Sequence, residues 1–321
     1  MKKALIITVI TSTILFFLGG ILFTIGIVTG GRASFNIDFN NNKVLTDKNI
    51  KMITKEESLS DFKNIKIDAD AYNVTIKKGD SFSVNYGAYE NAMPEIKVEG
   101  DTLNILSKHE KIQLNLLSFS DDIQVPYIII TVPETTDLSE CTMKLNAGEI
   151  NISNQNFEDI DLDTDAGNII LSDITTNGFK ILASAGNVNI SDSTISDLDV
   201  QSNAGNIVFD EIESDQIKLD IDYGNLEISD SQVKKISVDA DAGKIDINDI
   251  QSDDITIDAD YGSTDLKMIG NEDDYDIEVE VDYGDFSLNG KDQNNKYKAN
   301  NDKEKKIKIN SDAGDVNIRF E

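Results

Sequence analysis

The sequence is poor in the residues from which most catalytic and metal sites are built. Its 321 residues include one Cys, one His, three Pro and no Trp. One cysteine excludes an intramolecular disulfide and a thiolate metal cluster. One histidine excludes a multi-histidine metal site and leaves a single candidate for a histidine-based triad.

Basic residues are also scarce. The chain has 29 Lys and Arg against 59 Asp and Glu, a formal net charge of −30. It would repel nucleic-acid phosphates, so DNA and RNA are not expected as partners. Hydrophobic residues make up 39% of the chain, which is enough to bury a core, so a folded protein is expected.

Charge is absent from residues 4–31, which read ALIITVITSTILFFLGGILFTIGIVTGG. At about 1.5 Å per residue, a helix of this length exceeds the roughly 30 Å hydrocarbon core of a bilayer. Residues 1–32 are therefore predicted to be a short cytoplasmic tail and a single-pass transmembrane anchor, with Lys2 and Lys3 inside and the remaining chain extracytoplasmic. A cleaved signal peptide is the alternative, although signal apolar regions usually run only about 7–15 residues.

A short block built around glycine recurs along the second half of the chain, as in DAGNIIL, NAGNIVF and DYGNLEI. The first seven of its glycines are spaced by 19 residues, and the last two intervals are 22 and 30. These corner glycines are Gly148, Gly167, Gly186, Gly205, Gly224, Gly243, Gly262, Gly284 and Gly314. A constant period of this kind predicts a repeat architecture.

Apolar residues lie seven and five positions before each glycine and, with few exceptions, two and four positions after it. This period-two pattern predicts two short strands per repeat, each with one buried face, and excludes amphipathic helices. The inward parity changes at the glycine, which predicts a corner there. An antiparallel hairpin meander is the competing arrangement, but it would normally alternate its turn chemistry, whereas one turn at constant spacing favours coils stacked about 4.8 Å apart.

The sequence therefore predicts an all-β fold: a parallel single-chain β-solenoid of about 19 residues per coil, with an N-terminal transmembrane helix and an irregular β cap. Alternate coils also supply one apolar residue each to the far corner, seven residues after the glycine or nine. These predicted plugs are Ile174, Ile212 and Ile250, and Phe157, Ile195 and Val233.

The ends of the repeat region are less regular. Residues 33–60 are polar and are predicted to be a stalk. Residues 61–136 are predicted to hold a first coil, with Tyr72 at the glycine position, and the irregular β cap, with a turn at Gly100-Asp101. Residues 137–321 are predicted to be the solenoid repeats, and the polar, Lys-rich stretch at 290–305 a solvated loop inserted between repeats.

An N-terminal anchor, the strand-like segment IIITVPETTDL and repeats of the form G-x-[IVL]-x-[IVL] occur together in this chain. This combination resembles the bacterial "putative adhesin" family of β-strand-repeat proteins, domain of unknown function 4097, which includes LiaG-like membrane proteins. The resemblance covers roughly residues 60–321. It implies a membrane-tethered β-solenoid outside a bacterium, linked to adhesion or envelope stress, and it transfers no catalytic residues.

Acidic residues recur on the outward side of the strand before the corner, four and two positions before the glycine. Stacked coils would place them in two columns, which we call the predicted acidic face. Its members are Asp163, Asp165, Asp220, Asp222, Asp239, Asp241, Asp258, Asp260, Glu280 and Asp282. Like charges about 4.8 Å apart repel by about 1 kcal/mol even in water, a cost that folding alone does not require.

Two interpretations of the predicted acidic face stay open. It could bind cations, most simply Ca²⁺ or Mg²⁺, or a basic peptide or protein. The competing interpretation is that aspartate only solubilises an acidic exported protein. The nonapeptide of calcium β-rolls and EF-hand spacing are both absent from the sequence.

Tyrosine, cysteine and histidine are the other functional candidates in the sequence. Tyr223, Tyr261 and Tyr283 precede their glycines, and by parity they are predicted to pack inward at the corner. Cys141 falls on an inward apolar row and is predicted to be a buried structural thiol. His109, among charged residues, is predicted to be solvent-exposed and not catalytic.

The function predicted from these features is a non-catalytic binding, adhesion or envelope-stress module, anchored in the cell membrane. A polysaccharide-acting β-helix enzyme is one alternative, since such folds use paired carboxylates, but here no pair stands out from the repeat. A purely structural or regulatory envelope protein is the other alternative. No cofactor is expected unless Ca²⁺ binds, and the oligomeric state stays open.

Overall fold

The computed structural model describes residues 52–90, 92–107 and 125–321, together with the backbone of residues 36–38 and 43–45. The chain forms two compact units, of which one comprises Met52–Lys108 and Val125–Glu321. In the other, two short strands pair antiparallel with each other. The predicted anchor and His109 lie outside the described residues. Within the described ranges, no helix is both long and apolar enough to cross a bilayer.

Strands are the dominant element of the fold. They are β1 Asn36–Asp38, β2 Lys43–Leu45, β3 Met52–Ser58, β4 Asn64–Ala71, β5 Asn73–Gly79, β6 Ser83–Tyr89, β7 Glu95–Glu99, β8 Thr102–Ser107, β9 Tyr127–Pro133, β10 Glu140–Ala147, β11 Ile150–Asn156, β12 Asp159–Ala166, β13 Ile169–Ala183, β14 Val188–Ala204, β15 Ile207–Tyr223, β16 Leu226–Ser229, β17 Gln232–Ala242, β18 Ile245–Ile250, β19 Asp254–Tyr261, β20 Thr264–Met268, β21 Tyr275–Tyr283, β22 Phe286–Leu288, β23 Lys291–Gln293, β24 Lys296–Ala299, β25 Lys305–Ala313 and β26 Val316–Phe320. A 3₁₀ turn covers Glu272–Asp274.

The predicted β-solenoid is confirmed by the register of the strands. From β10 to β18, each strand pairs in parallel with the equivalent strand of the next repeat, for example Ile217 with Ile236 and Ile236 with Ile255. The offset is 19 residues except at Ile250, where a register shift pairs it with Met268. The hairpin meander is therefore excluded for this part of the chain. Each coil consists of one strand before the glycine and one after it, and we name each coil by its glycine.

Stacked backbone fills the inside of the glycine corner. Gly243 has φ +147°, and a Cβ added to it would lie 1.7 Å from the carbonyl oxygen of Gly224. Only a residue without a side chain fits at this close approach. Tyr72 occupies the glycine position of the first coil, as predicted, and its carbonyl oxygen lies beneath Gly148.

The core is one continuous cluster of aliphatic and aromatic side chains along the inside of the stack. The six predicted plugs are all buried. Between them, buried hydroxyls alternate with the apolar plugs. The Ser231 hydroxyl accepts from the amide of Ile212 at 2.9 Å and donates to the carbonyl of Ser229 at 2.6 Å. Such alternation lets the corner pack tightly while its backbone groups stay hydrogen-bonded.

A second corner, six residues after the glycine, is built without glycine. Its residues have φ between +48° and +55°, in the left-handed region where Asn and Asp are the most frequent non-glycine residues. They are Asn154, Asp173, Asp192, Glu211, Asp230 and Asp249. Five consecutive coils therefore stack a carboxylate at the same position.

The N-terminal end of the solenoid is capped by antiparallel strands. The hairpin β7–β8 turns at Gly100-Asp101, where Gly100 has φ +65°, as predicted. Strand β3 pairs antiparallel with β6. The prediction of a stalk is therefore wrong for residues 52–58, because their backbone groups pair with a neighbouring strand of the cap.

The coils at this end do not stack in sequence order. Strand β4 pairs with β8 on one side and with β10 on the other. Likewise β5 lies between β9 and β11. The first coil in the sequence therefore lies inside the stack, beneath a cap formed by later residues.

The C-terminal end shows the same inversion. Strand β25 pairs with β19 on one side and with β21 on the other, so the Gly314 coil lies between the Gly262 and Gly284 coils. The sequence predicted that the Lys-rich stretch is a solvated loop between repeats, and this prediction is wrong. The strands of the stretch, β23 and β24, pair antiparallel with β22 and β21. Loop composition misled the prediction because charged, short strands are also what protects a sheet edge.

Candidate functional site

Two carboxylate positions recur on the outward side of the strand before the glycine corner. Asp239 pairs in register with Asp220 on one side and Asp258 on the other, so the three side chains form a column at the strand spacing of about 4.8 Å. Asp222, Asp241 and Asp260 occupy the equivalent position two residues further along. The repeat thus places six predicted residues on one surface.

Beyond these coils the stacking differs from the sequence prediction. Asn310 pairs with Asp258 on one side and with Glu280 on the other. Glu280 and Asp282 therefore do not follow Asp258 and Asp260 directly, because the Gly314 coil separates them. That coil adds Asp312, a position that the sequence prediction missed although it lies two residues before Gly314. The resulting acidic patch comprises Asp220, Asp222, Asp239, Asp241, Asp258, Asp260, Asp312, Glu280 and Asp282.

Asp163 and Asp165 do not belong to this patch. Asp163 pairs in register with Lys144 and Leu182, and its carboxylate accepts a charge-assisted hydrogen bond from Lys144 Nζ at 3.1 Å. Two coils lie between Asp163 and Asp220, and their residues at this position, Leu182 and Gln201, are uncharged. The predicted acidic face is therefore split in two.

Most carboxylates of the acidic patch lack a basic partner. In the described part of the chain, no lysine or arginine forms an ion pair with Asp220, Asp222, Asp239, Asp241, Asp258, Asp260, Asp282 or Asp312. Other acidic positions are neutralised: Lys244 bridges Asp246 at 2.6 Å and Asp265 at 3.0 Å. At the end of the patch, Glu280 pairs with Lys296 of strand β24.

The crowding has an electrostatic consequence at the centre of the patch. The pKa of Asp239 is raised above its ordinary value, first by loss of hydration and then by the negative charges of Asp220 and Asp258. Asp241 and Asp260 add to the same effect. A cation bound at this place would reverse the repulsion that these side chains exert on each other.

The prediction that the three tyrosines pack inward is wrong. Tyr223, Tyr261 and Tyr283 are 65%, 67% and 80% exposed. The stacked glycine backbone leaves no space for a ring inside the corner, so the residue before the glycine turns outward. We call these three residues the tyrosine stripe. Each immediately follows an aspartate of the acidic patch.

A second carboxylate column was not identified from the sequence. It is formed by the left-handed corner residues from Asp173 to Asp249, whose signal was an Asn, Asp or Glu six residues after successive glycines. The pKa of Glu211 is raised, chiefly by the negative charge of Asp192. At the end of the column, Lys267 Nζ contacts Asp249 at 2.8 Å.

A buried thiol, a metal site and a groove are the other candidates in the described residues. Cys141 is 1% exposed, as predicted, and burial raises the pKa of its thiol. Within the described ranges, no three His, Cys, Asp or Glu side chains converge to hold a metal ion. A groove of about 560 Å³ runs along the far corner. There Lys305 contacts Asp253 at 3.2 Å and lies 5.5 Å from the ring centroid of Tyr275.

Several solved bacterial structures are similar to this chain. A "putative adhesin" from Bacteroides fragilis is 18% identical, covering 84% of this chain and 97% of its own, with a TM-score of 0.43. A "putative adhesin" from Parabacteroides distasonis is 14% identical, covering 85% and 98%, with a TM-score of 0.46. A "putative lipid binding protein" from the same organism is 15% identical, covering 84% and 96%, with a TM-score of 0.42.

No curated protein matches the chain. The profile of one family, described as Toastrack DUF4097, matches residues 62–319. This range includes all the stacked coils from the first to the last, and the resemblance inferred from the glycine repeats is confirmed. The chain belongs to the Toastrack DUF4097 family.

Proposed function

We propose that this protein is a non-catalytic binding module that presents the acidic patch to a cationic partner, a basic peptide or protein, outside the cell membrane. One observation carries the proposal. Carboxylates of successive coils are aligned on one surface, and in the described residues nearly all of them lack an ion-pair partner. A basic partner would supply the missing positive charge.

The cost of the arrangement supports this function. Each pair of charges at about 4.8 Å costs about 1 kcal/mol in water and more where hydration is reduced. The same solenoid shows that the cost is avoidable, because Lys244 neutralises Asp246 of β18 and Asp265 of the neighbouring strand β20. The patch would be expected to contain such lysines if it served the fold alone.

The repetition of the patch supports binding rather than catalysis. Enzymes that use two carboxylates give them different environments, so that one is protonated and the other ionised. In the patch three consecutive coils repeat the same two aspartates, Asp220 and Asp222 being matched by Asp239 and Asp241 and then by Asp258 and Asp260. Such a surface suits an extended partner that contacts several coils at once.

Attachment to the membrane is part of the proposal. The uncharged segment at residues 4–31 is long enough to span a bilayer, and Lys2 and Lys3 favour the cytoplasmic side for its start. The solenoid would then lie outside the cell, where the patch is accessible to partners.

The function can be tested with the full chain in detergent and a fluorescent decalysine peptide. We expect the wild type to bind the peptide, and we expect its affinity for the peptide to fall as the salt concentration increases. A variant with Asp220, Asp222, Asp239, Asp241, Asp258 and Asp260 changed to Asn should bind at least about tenfold more weakly, a difference of about 1.4 kcal/mol.

A matched control separates the patch from the general charge of the protein. It carries six Asp→Asn changes at exposed positions outside both carboxylate columns, namely Asp61, Asp80, Asp159, Asp161, Asp197 and Asp302. This control has the same net charge as the patch variant and should keep near wild-type affinity. Equal weakening in both variants would show that the patch has no role of its own.

A further inference from the structure

The tyrosine stripe exposes aromatic surface in an unusual place. Large hydrophobic side chains are mostly buried in the described part of the chain, and the three most exposed are Tyr223, Tyr261 and Tyr283. All three occupy one position of the repeat, immediately before the corner glycine. No side-chain hydrogen bond of their hydroxyls is present in the described residues. An exposed row of rings of this kind is typical of a binding surface.

The rings are evenly spaced along the stack. Ala242 pairs with Tyr223 and with Tyr261, so one coil lies between these tyrosines and they are two coil spacings apart. Ala313 pairs with Tyr261 and with Tyr283, which gives the same separation again. At about 4.8 Å per coil, neighbouring rings lie about 9.6 Å apart. The second interval depends on the Gly314 coil, without which Tyr261 and Tyr283 would be adjacent.

The chemistry beside the rings favours a cation. Asp222, Asp260 and Asp282 immediately precede the three tyrosines, and each lacks an ion-pair partner in the described residues. A cation over an aromatic face gains attraction from the ring, and a neighbouring carboxylate adds to it. The protein contains this contact elsewhere, where Lys305 lies over Tyr275.

The spacing selects the conformation of the partner. An extended strand places side chains of one face about 6.6 Å apart, which does not match 9.6 Å. An α-helix places residues seven apart at about 10.5 Å, which drifts from the stripe over two intervals. A polyproline II segment has three residues per turn and a rise of about 3.1 Å, so every third side chain recurs at about 9.3 Å on one face.

We propose that the tyrosine stripe docks a basic segment in the polyproline II conformation, with Lys or Arg at every third residue. Each basic side chain lies over one ring and contacts the aspartate beside it. The inference rests on the proposed function, since it names the conformation and the periodicity of the cationic partner of the acidic patch. It adds to that function a set of residues outside the patch.

Two nine-residue peptides of identical composition provide the probes. One has the sequence Arg-Pro-Pro repeated three times, and the other has the same three arginines at every second residue. We expect the full-length wild type to bind the first peptide at least about tenfold more tightly. Three rings each contributing to the contact make a difference of this size reasonable.

Two variants test the stripe itself. The triple variant Tyr223→Ala, Tyr261→Ala, Tyr283→Ala should lose the preference between the peptides. The double variant Ala313→Tyr, Tyr283→Ala keeps three tyrosines but makes two of them adjacent, and it should lose the preference as well. Thermal unfolding of each variant, compared with wild type, identifies any loss of peptide binding that comes from misfolding. The triple variant with phenylalanine in place of each tyrosine should retain the preference for the first peptide.

The outcomes separate this inference from the proposed function. Equal binding of both peptides, weakened only by the Asp→Asn changes in the patch, overturns the stripe as a docking site and leaves the acidic patch as the binding surface. Loss of decalysine binding from both the patch variant and its matched control overturns the proposed function. Binding of a neutral β-1,4-linked glucose oligomer that depends on the tyrosines, without any preference between the peptides, would instead indicate a glycan.

Discussion

Tyr261 and Tyr283 occupy the same position in consecutive sequence repeats, yet Ala313, from later in the chain, pairs with both of them. The neighbour of a coil in the sequence is therefore not always its neighbour in the stack. This relationship sets the even spacing of the tyrosine stripe and the order of carboxylates in the acidic patch.

Replacing a corner glycine should destabilise the solenoid severely. A Cβ on Gly243 would lie 1.7 Å from the carbonyl of Gly224, whereas a Cβ on Gly270, with a similar φ of +138°, would meet nothing within 4 Å. We expect Gly270→Ala to cost about 1–3 kcal/mol from backbone strain. Gly243→Ala should cost more than about 4 kcal/mol or prevent folding. Urea unfolding of both variants measures the difference, and similar costs would contradict the close approach seen in the stack.

The asparagines after the corner should stabilise the stack by hydrogen bonds between coils. The backbone N–H of Asn206 donates to the side-chain Oδ1 of Asn187 at 3.0 Å. The side-chain Oδ1 of Asn206 in turn accepts from the backbone N–H of Asn225 at 3.1 Å. We expect Asn206→Ala to lower the free energy of unfolding by about 1–2 kcal/mol, because the Asn225 amide loses its acceptor. Asn203→Ala, at an exposed position before the corner, is the control. Equal effects of the two changes would remove the ladder as a source of stability.

The acidic patch should make stability depend on pH. Folded Asp239 has a pKa raised above 3.8 by lost hydration and by Asp220 and Asp258, so it binds a proton more tightly than the unfolded chain does. The free energy of unfolding therefore falls as pH rises from about 3.8 through the raised pKa. We expect Asp239→Asn to stabilise the protein at pH 7, and the gain to shrink as pH approaches 4. Thermal melts between pH 4 and pH 7 measure the change in melting temperature, with Asp161→Asn as the control. A stabilisation by Asp239→Asn that is the same at every pH would contradict the prediction.

The second corner contains one residue that the local backbone does not favour. Glu211 has φ +55°, and the strongest repulsion on its carboxylate comes from Asp192. Asn adopts left-handed φ more readily than Glu and carries no charge. We expect Glu211→Asn to raise the melting temperature. Glu213→Asn removes the same charge two residues away in the same strand and should have a smaller effect; a larger gain there would show that net charge alone is responsible.

The single thiol should report unfolding. Cys141 is 1% exposed, and burial raises the pKa of its thiol, which lowers the fraction of reactive thiolate. We expect maleimide to label the native protein at least about a hundredfold more slowly than the urea-unfolded chain, because labelling needs local opening of the stack. Mass spectrometry of timed samples measures both rates. Fast labelling of the native protein would place the thiol at an accessible site.

The inside of the solenoid could be predicted from the sequence because its signals are local and repeated. Burial of Ile217, Ile236 and Ile255 follows from period-two alternation, and the corner follows from glycine at constant spacing. Each repeat confirms the phase set by the previous one. The predicted carboxylates of consecutive coils were brought into register for the same reason.

The remaining features depend on contacts between distant segments. The parity rule failed at Tyr223 because the stacked backbone of the corner, and not the alternation of the strand, decides which way the ring points. Strand β24 was missed because its lysines matched a loop composition, although Lys296 and Lys298 pair with Glu280 and Glu278 at the sheet edge. Nothing in the repeat itself shows that β25 inserts before β21.

The inverted order of coils at the two ends has a consequence for how the molecule is completed. The segments 64–79 and 305–320 are held by strands on both sides, so neither can detach before the cap that covers it. During synthesis the Gly284 coil emerges before the segment on which it must pack. Assembly therefore cannot proceed coil by coil from one end to the other. The Gly284 coil takes its place in the stack only after strands β25 and β26 have inserted between it and the Gly262 coil.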